Sequence, residues 1–177
     1  MYETLNLTAG SLVHNVFTNA YKLLDAEYYA RNDNIAKSSG AVAVTILIIG
    51  TTLFCINLGD SRAVLSRSGK AINLSVDHKA TCEKEKKRVQ SAGGYIFGGR
   101  LLGKLAITRA FGDFSMKIQH DEFGAKFQKK FLLVEPEVRQ IEIDPETDDF
   151  VLIASDGIFD KMSSQDCVDR IHAERSK

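Results

Sequence analysis

The chain has 177 residues, 44% hydrophobic and 26% charged, the proportions of one soluble globular domain with room for a real core. Its 23 basic and 23 acidic residues cancel, so no overall field draws it to nucleic acid or to an acidic membrane surface. Cys55, Cys82 and Cys167 are odd in number and far apart, which argues against a disulfide framework or a zinc site and for reduced, mostly buried thiols in a cytoplasmic or nuclear protein. The opening M-Y-E-T-L-N-L-T lacks a basic region followed by an apolar core, so no signal peptide is expected.

Leu12 to Ala30 places Val13, Phe17, Tyr21, Leu24 and Tyr28 three and four residues apart, with Asn15, Lys22 and Asp25 between them. This spacing predicts an amphipathic helix packed on a sheet. Arg31 to Gly40 is a loop by composition. Ala41 to Leu58 carries no charge and approaches the ~20 apolar residues of a membrane span. Its Val, Ile and Thr content and the Gly50-Thr51-Thr52 interruption favour a β-hairpin instead. Gly59 ends that run, so Asp60 is expected to project from a hairpin turn before a strand resumes at Ala63. A turn at Ser68-Gly69 and a strand from Ala71 to Val76 follow, closed by Asp77-His78-Lys79.

Thr81 is expected to cap a helix with Glu83 and Glu85 in its first turn and Lys86, Lys87 and Arg88 toward its end, a solvated face that suits the helix dipole. Tyr95 to Arg109, broken by Gly98, Gly99 and Gly103, predicts short irregular strands. Within Arg109-Ala110-Phe111-Gly112-Asp113 an ion pair between Arg109 and Asp113 is expected. His120 to Lys130 reads as an exposed loop, and Glu135-Pro136-Glu137 precedes a strand from Val138 to Ile143. Asp144 to Asp149 is an acidic turn.

Val151 to Ala154 is a short apolar run that suits a strand buried on both faces, and Asp156 sits where it ends. Gly157 would let backbone or ligand approach closely. If one helical turn starts at Gly157, Asp156 and Asp160 face one point, and two such oxygen donors suit magnesium or manganese. Taken alone, D-x-x-x-D is a common chance match, and a capping Asp156 beside a solvated Asp160 is the commoner outcome. Ser163 and Asp166 have capping-box spacing for a last helix that buries Cys167, Val168 and Ile171.

Several motifs stand in one order: Asn57-Leu58-Gly59-Asp60-Ser61-Arg62-Ala63, Asp77-His78-Lys79, Arg88 with Gly93-Gly94, Leu105 through Asp113, Glu135-Pro136-Glu137-Val138, and Ala154-Ser155-Asp156-Gly157-Ile158-Phe159-Asp160. Together they resemble the metal-dependent serine/threonine protein phosphatases of type 2C (PPM type), from roughly the first helix to the last residue. The resemblance implies an α+β fold, a four-layer α-β-β-α sandwich of two mainly antiparallel sheets flanked by helices. Residues 1–177 are expected to be a partial domain, because the family's Asp-Gly-His-Gly-Gly segment, its phosphate-holding arginine and its final Asp-Asn strand pair are not met.

By resemblance, the activity is hydrolysis of phosphoserine and phosphothreonine in proteins by a metal-activated water, with two or more Mg2+ or Mn2+ ions per complete site. Asp156 resembles a ligand of the central metal pair, and Asp60 and Asp160 resemble residues at an additional, weaker metal position. No catalytic residue beyond metal ligands is implied. The stretch from about 80 to 105, including Arg100, resembles the family's flap, which contributes to substrate choice. Gly59, Arg62, Arg109, Asp113 and Gly157 are expected to support the site. Phosphorylated proteins would be the partners of a monomer, with no nucleic acid and no membrane. The alternative is a phosphatase-like scaffold that binds phosphoproteins or regulates signalling without hydrolysis.

Overall fold

The computed structural model describes residues 9–31, 37–120, 126–128, 130–175 and 177. In chain order the elements are α1 (Ala9–Ala30), β1 (Gly40–Ala41), β2 (Ala43–Ile49), β3 (Thr52–Leu58), β4 (Arg62–Arg67), β5 (Lys70–Asn73), α2 (Glu83–Ser91), β6 (Ile96–Phe97), β7 (Arg100–Leu101), β8 (Phe111–Gly112), α3 (Phe114–Lys117), β9 (Ile118–His120), β10 (Lys126–Gln128), β11 (Glu137–Glu142), β12 (Asp148–Ala154), α4 (Asp156–Phe159) and α5 (Ser164–Arg175).

Strand β3 carries the core. Alternate side chains of a strand point to opposite faces, and here both faces are covered: Phe54, Ile56 and Leu58 pack on Val13 and Tyr21 of α1, while Leu53 and Cys55 pack on Ala63 and Leu65 of β4 and on Leu74. β3 lies between β11 and β2 in one antiparallel sheet, and β4 lies between β12 and β5 in a second. With α5 packed against β5 on the far side, the layers run helix, sheet, sheet, helix, as expected. The β2–β3 hairpin turns at Gly50-Thr51. No helix among the described residues is long and apolar enough to cross a membrane.

Several expectations are corrected. β12 is an outer strand of its sheet among the described residues, with Ile153 48% exposed, so the strand buried on both faces is β3. Both runs are apolar, and only ladder position separates them. Asp60 does not sit in a hairpin turn: β3 and β4 pair with different partners, so Gly59 to Ser61 carries the chain from one sheet to the other. Cys82, not Thr81, is the N-cap residue of α2, and it makes no side-chain capping bond. Part of the predicted loop from His120 to Lys130 is strand, β9 pairing with β10; residues 121–125 and 129 lie outside the described residues. The capping box is present, with Ser163 Oγ donating to Asp166 Oδ2 at 2.6 Å and the Asp166 N–H donating back to Ser163 Oγ at 3.1 Å. The three cysteines are free, and burial pushes the Cys55 thiol up to about 11, against the pull of Arg139.

Two charges expected in solvent are buried. Asp25 continues the i, i+4 series of Val13, Phe17 and Tyr21 and is 5% exposed. Lys117 Nζ lies 2.9 and 2.8 Å from its two oxygens and 2.8 Å from the Ala110 carbonyl. Glu85, 1% exposed, lies under α2 beside a separate apolar cluster of Val89, Leu101, Ala110, Phe131 and Leu132. Its carboxylate accepts from Arg109 Nη2 at 2.6 Å, Arg88 Nη2 at 2.8 Å and Thr108 Oγ1 at 2.7 Å. The solvated face predicted for this helix therefore holds for Glu83, Lys84 and Lys87, which are exposed, whereas Lys86 and Arg88 are half-buried.

Burial raises the Glu85 pKa, but the hydrogen bonds and charges of Arg109 and Arg88 outweigh it and hold the carboxyl at about 2, against an ordinary 4.5. A depressed folded pKa contributes stability above the unfolded value that is lost as pH falls through the folded one. Glu85→Gln is expected to cost about 3–5 kcal/mol at neutral pH, the price of breaking a buried ion pair. Urea denaturation across pH should show wild type and variant converging between pH 4.5 and about 2; a gap independent of pH would contradict this.

Candidate active site

The β4–β12 ladder sets the geometry. Arg62 is paired with Ala154, and Asp60 precedes Arg62 by two residues just as Asp156 follows Ala154 by two. One further side-chain period along the ladder therefore brings both carboxylates off the same end of the same strand pair. The charges agree with this placement: burial pushes the Asp60 carboxyl up, and the neighbouring Asp156 charge pushes it further.

Asp160 joins by a different route from the one expected. The short helix begins at Asp156 rather than Gly157. The Asp160 N–H donates to the Asp156 carbonyl at 2.7 Å, while the Asp160 carboxylate accepts from Lys79 Nζ at 2.7 Å, which holds its pKa below the ordinary range. The Lys79 charge also reaches Asp77 and Asp60. Arg62 closes the cluster: it grips Asp77 through Nε at 3.0 Å and Nη2 at 2.8 Å, donates to Ser164 Oγ at 3.2 Å, and lies 4.6 Å from the centre of the Phe159 ring. Asp77, His78 and Lys79 were legible in the sequence as the closure of a strand and as one of the ordered motifs, without individual roles.

Gly59 is required by its backbone, with φ at +107°, and by its surroundings, since a Cβ there would overlap Val42. Gly157 is not required in this way: it is exposed, its φ is ordinary, and a Cβ would meet only Ser155 Oγ at 3.5 Å. The expected ion pair between Arg109 and Asp113 is absent. Arg109 is bound to Glu85 and donates to the Glu135 carbonyl at 3.0 Å. The Asp113 carboxylate lies against Gly40, and burial pushes it up while Lys117 pulls it down. Four-residue spacing joins side chains on a helix, but this segment passes through the strand β8. Arg100 lies exposed on β7, next to the Gly98-Gly99 turn, and its Nη1 donates to the Lys104 carbonyl at 2.9 Å.

Among the described residues no three His, Cys, Asp or Glu side chains gather as an ion-ligand set. The site does offer a divalent cation the Asp60 and Asp156 pair, two oxygen donors of like charge whose repulsion a cation would relieve, and this donor chemistry fits Mg2+ or Mn2+. An open cleft of about 630 Å³, lined by Arg62, Asn73, Phe159, Asp160 and Ser164, meets the acidic cluster at Asp160 and Arg62; Asp60 and Asp156 do not line it. A second cavity, about 1010 Å³, lies elsewhere, between α1 and α2 over Phe114 and Leu132.

A two-sheet sandwich covered by helices, with acidic side chains gathered at one end of a strand pair, defines the class to which this molecule is to be compared. The family model "Protein phosphatase 2C" matches residues 3–177, and the chain belongs to that family. It is 43% identical over 143 residues to probable protein phosphatase 2C 21 of Arabidopsis thaliana, covering 81% of this chain and 39% of that protein. It is 41% identical over 160 residues to probable protein phosphatase 2C 27 of Oryza sativa subsp. japonica, covering 89% of this chain and 44% of that one. The chain therefore spans less than half the length of these relatives. Among solved structures, that of a C. elegans sex determining protein superposes with a TM-score of 0.73 at 26% identity, over 97% of this chain and 39% of the other. The serine-threonine phosphatase 2C of Toxoplasma gondii gives 0.75 at 21% identity, over 98% and 61%, which speaks for the fold alone.

Repulsion between Asp60 and Asp156 gives a stability test without any assay of activity. Asp156→Asn is expected to raise the thermal midpoint of the metal-free chain, by an amount equivalent to about 0.5–2 kcal/mol. Calorimetry that finds the variant less stable would contradict the proximity of the two carboxylates.

Proposed function

We propose that this chain is the part of a protein phosphatase that hydrolyses phosphoserine and phosphothreonine in proteins, with Asp156 and Asp60 as ligands of Mg2+ or Mn2+ and Asp160 at an additional, weaker position. Family membership supports the reaction class. The observation that supports the site is the Asp60 carboxyl, pushed up by burial and by Asp156 at the shared end of one ladder. Divalent cations bound there would neutralise a phosphate and lower the pKa of a water.

The chain's own residues do the holding. The β4–β12 pair fixes the span between Asp60 and Asp156, Lys79 keeps Asp160 ionised and turned toward the cluster, and Arg62 neutralises Asp77. Such fixed charges need no rearrangement when a phosphate arrives, which is where electrostatic catalysis gains most. We read the segment from about 80 to 105 as the flap, with Arg100 offering its remaining donors to a phosphopeptide. On this reading the chain acts as a monomer on phosphorylated proteins in the cytoplasm or nucleus.

Phosphate release from a phosphothreonine peptide by the 177-residue chain should depend on added Mn2+ and vanish in Asp156→Ala. A folded chain that binds the peptide in Mn2+ without releasing phosphate would leave the scaffold reading in its place. Arg100→Ala should raise KM for the phosphopeptide about 10-fold, as loss of a charge-assisted hydrogen bond does, with kcat unchanged. A fall in kcat at constant KM would remove Arg100 from substrate binding.

A further inference from the structure

We propose that His78 is a positioning residue: a neutral imidazole, protonated on Nε2, that holds the Gly59 N–H in the Leu58-Gly59 peptide and so fixes the backbone immediately before Asp60 and the place of its carboxylate, given the reading of Asp60 as an ion ligand set out above. His78 is 1% exposed, and each of its four polar atoms is engaged. Its backbone N–H donates to the Gly59 carbonyl at 2.9 Å, and its Nδ1 accepts from the Gly59 N–H at 3.0 Å, so one residue grips both polar groups of the glycine. Its carbonyl accepts from the Thr108 N–H at 2.9 Å and from Thr108 Oγ1 at 3.1 Å. Nε2 lies 3.3 Å from Glu137 Oε2.

These contacts determine the tautomer. A ring nitrogen that accepts from a peptide N–H carries no proton, so the single proton of the neutral ring is on Nε2, where it donates to Glu137. Burial and the nearby Arg109 favour the neutral ring. Glu137, on β11, is itself held by Lys84 Nζ at 3.0 Å.

The clamp acts where the chain most needs one. Gly59 has the freest backbone of any residue type and joins two sheets, so without restraint it would be a hinge immediately before Asp60. Asn57 Nδ2 adds a bond to the same Gly59 carbonyl at 3.2 Å and one to the Val76 carbonyl at 2.9 Å. The next residue, Lys79, holds Asp160. The dipeptide His78-Lys79 thus bears on two acidic side chains at once, Asp60 by way of the Gly59 N–H held on the imidazole and Asp160 directly through an ammonium. Groups that orient ligands from behind typically change ion affinity 10–100-fold when removed, whereas a core histidine with a purely structural role would change stability and leave affinity alone.

Two substitutions separate the ring nitrogens. His78→Asn puts an amide oxygen near the Nδ1 position and retains an acceptor for the Gly59 N–H; His78→Gln reaches toward Glu137 and gives that acceptor up. Two readouts on the 177-residue chain apply: ring nitrogen shifts with Gly59 and Asp60 amide exchange by NMR without metal, and Mn2+ affinity by electron paramagnetic resonance. Wild type should show an unprotonated Nδ1 and a protected Gly59 amide. H78N should keep that protection and bind Mn2+ close to wild type, while H78Q loses the protection and binds about 10–100-fold more weakly. A proton on Nδ1, a Gly59 amide still protected in H78Q, or equal weakening of Mn2+ binding in both variants would overturn the assignment. If wild type binds no Mn2+, the proposed function falls by itself, and the ring and amide measurements still decide whether the His78 ring holds the Gly59 backbone ahead of Asp60.

Discussion

Two carboxylates held at one end of an antiparallel ladder repel each other, and much of the surrounding structure restrains them. Asp60 and Asp156 extend from β4 and β12, whose register is fixed by Arg62 opposite Ala154. A one-residue slip in that register would turn one side chain to the other face of the sheet. The register is secured from within by β3, whose Leu53 and Cys55 pack under Ala63 and Leu65 of β4. The core thus positions the site directly, because the strand buried on both faces runs without a break through Leu58 into Gly59 and Asp60.

The second restraint is ionic. Cations lie beside the acidic cluster, Lys79 on Asp160 and Arg62 on Asp77. Farther back, Glu85 with Arg88 and Arg109 ties α2 to the segment before β8, and Lys117 with Asp25 ties α1 to the segment after it. Buried pairs of this kind add little net stability compared with an apolar replacement, yet breaking one is costly because a charge is left uncompensated. They work here as joints between elements far apart in the chain. Arg88 extends one joint by donating to the carbonyls of Thr108, Lys130 and Phe131.

Local features were legible in the sequence. The Ser163 and Asp166 box, the Gly50-Thr51 turn of the β2–β3 hairpin and the apolar spacing of α1 depend on neighbours a few residues away, and each is present. What depended on distant partners was not legible. Asp25 and Glu85 read as solvent-facing because Lys117 and Arg109 are remote in the chain. Asp60 read as a hairpin turn because sheet membership follows from pairing with β2 and β11, not from the strand's own residues. Arg109 and Asp113 are close in sequence, but an extended segment sends one to Glu85 and the other toward Gly40. The acidic residues of the candidate site were picked out by motif order, while His78 and Lys79, which hold them, were visible only as part of a motif and acquired roles from geometry.

The central claim, that the carboxylates at this ladder end are a cation site, is tested most directly by crystals of the chain grown with Mn2+ and measured near the manganese absorption edge. An anomalous peak bounded by the Asp60 and Asp156 carboxylates is expected. Manganese bound elsewhere, or no peak while both carboxylates stay within the protein's own ion pairs, would contradict it.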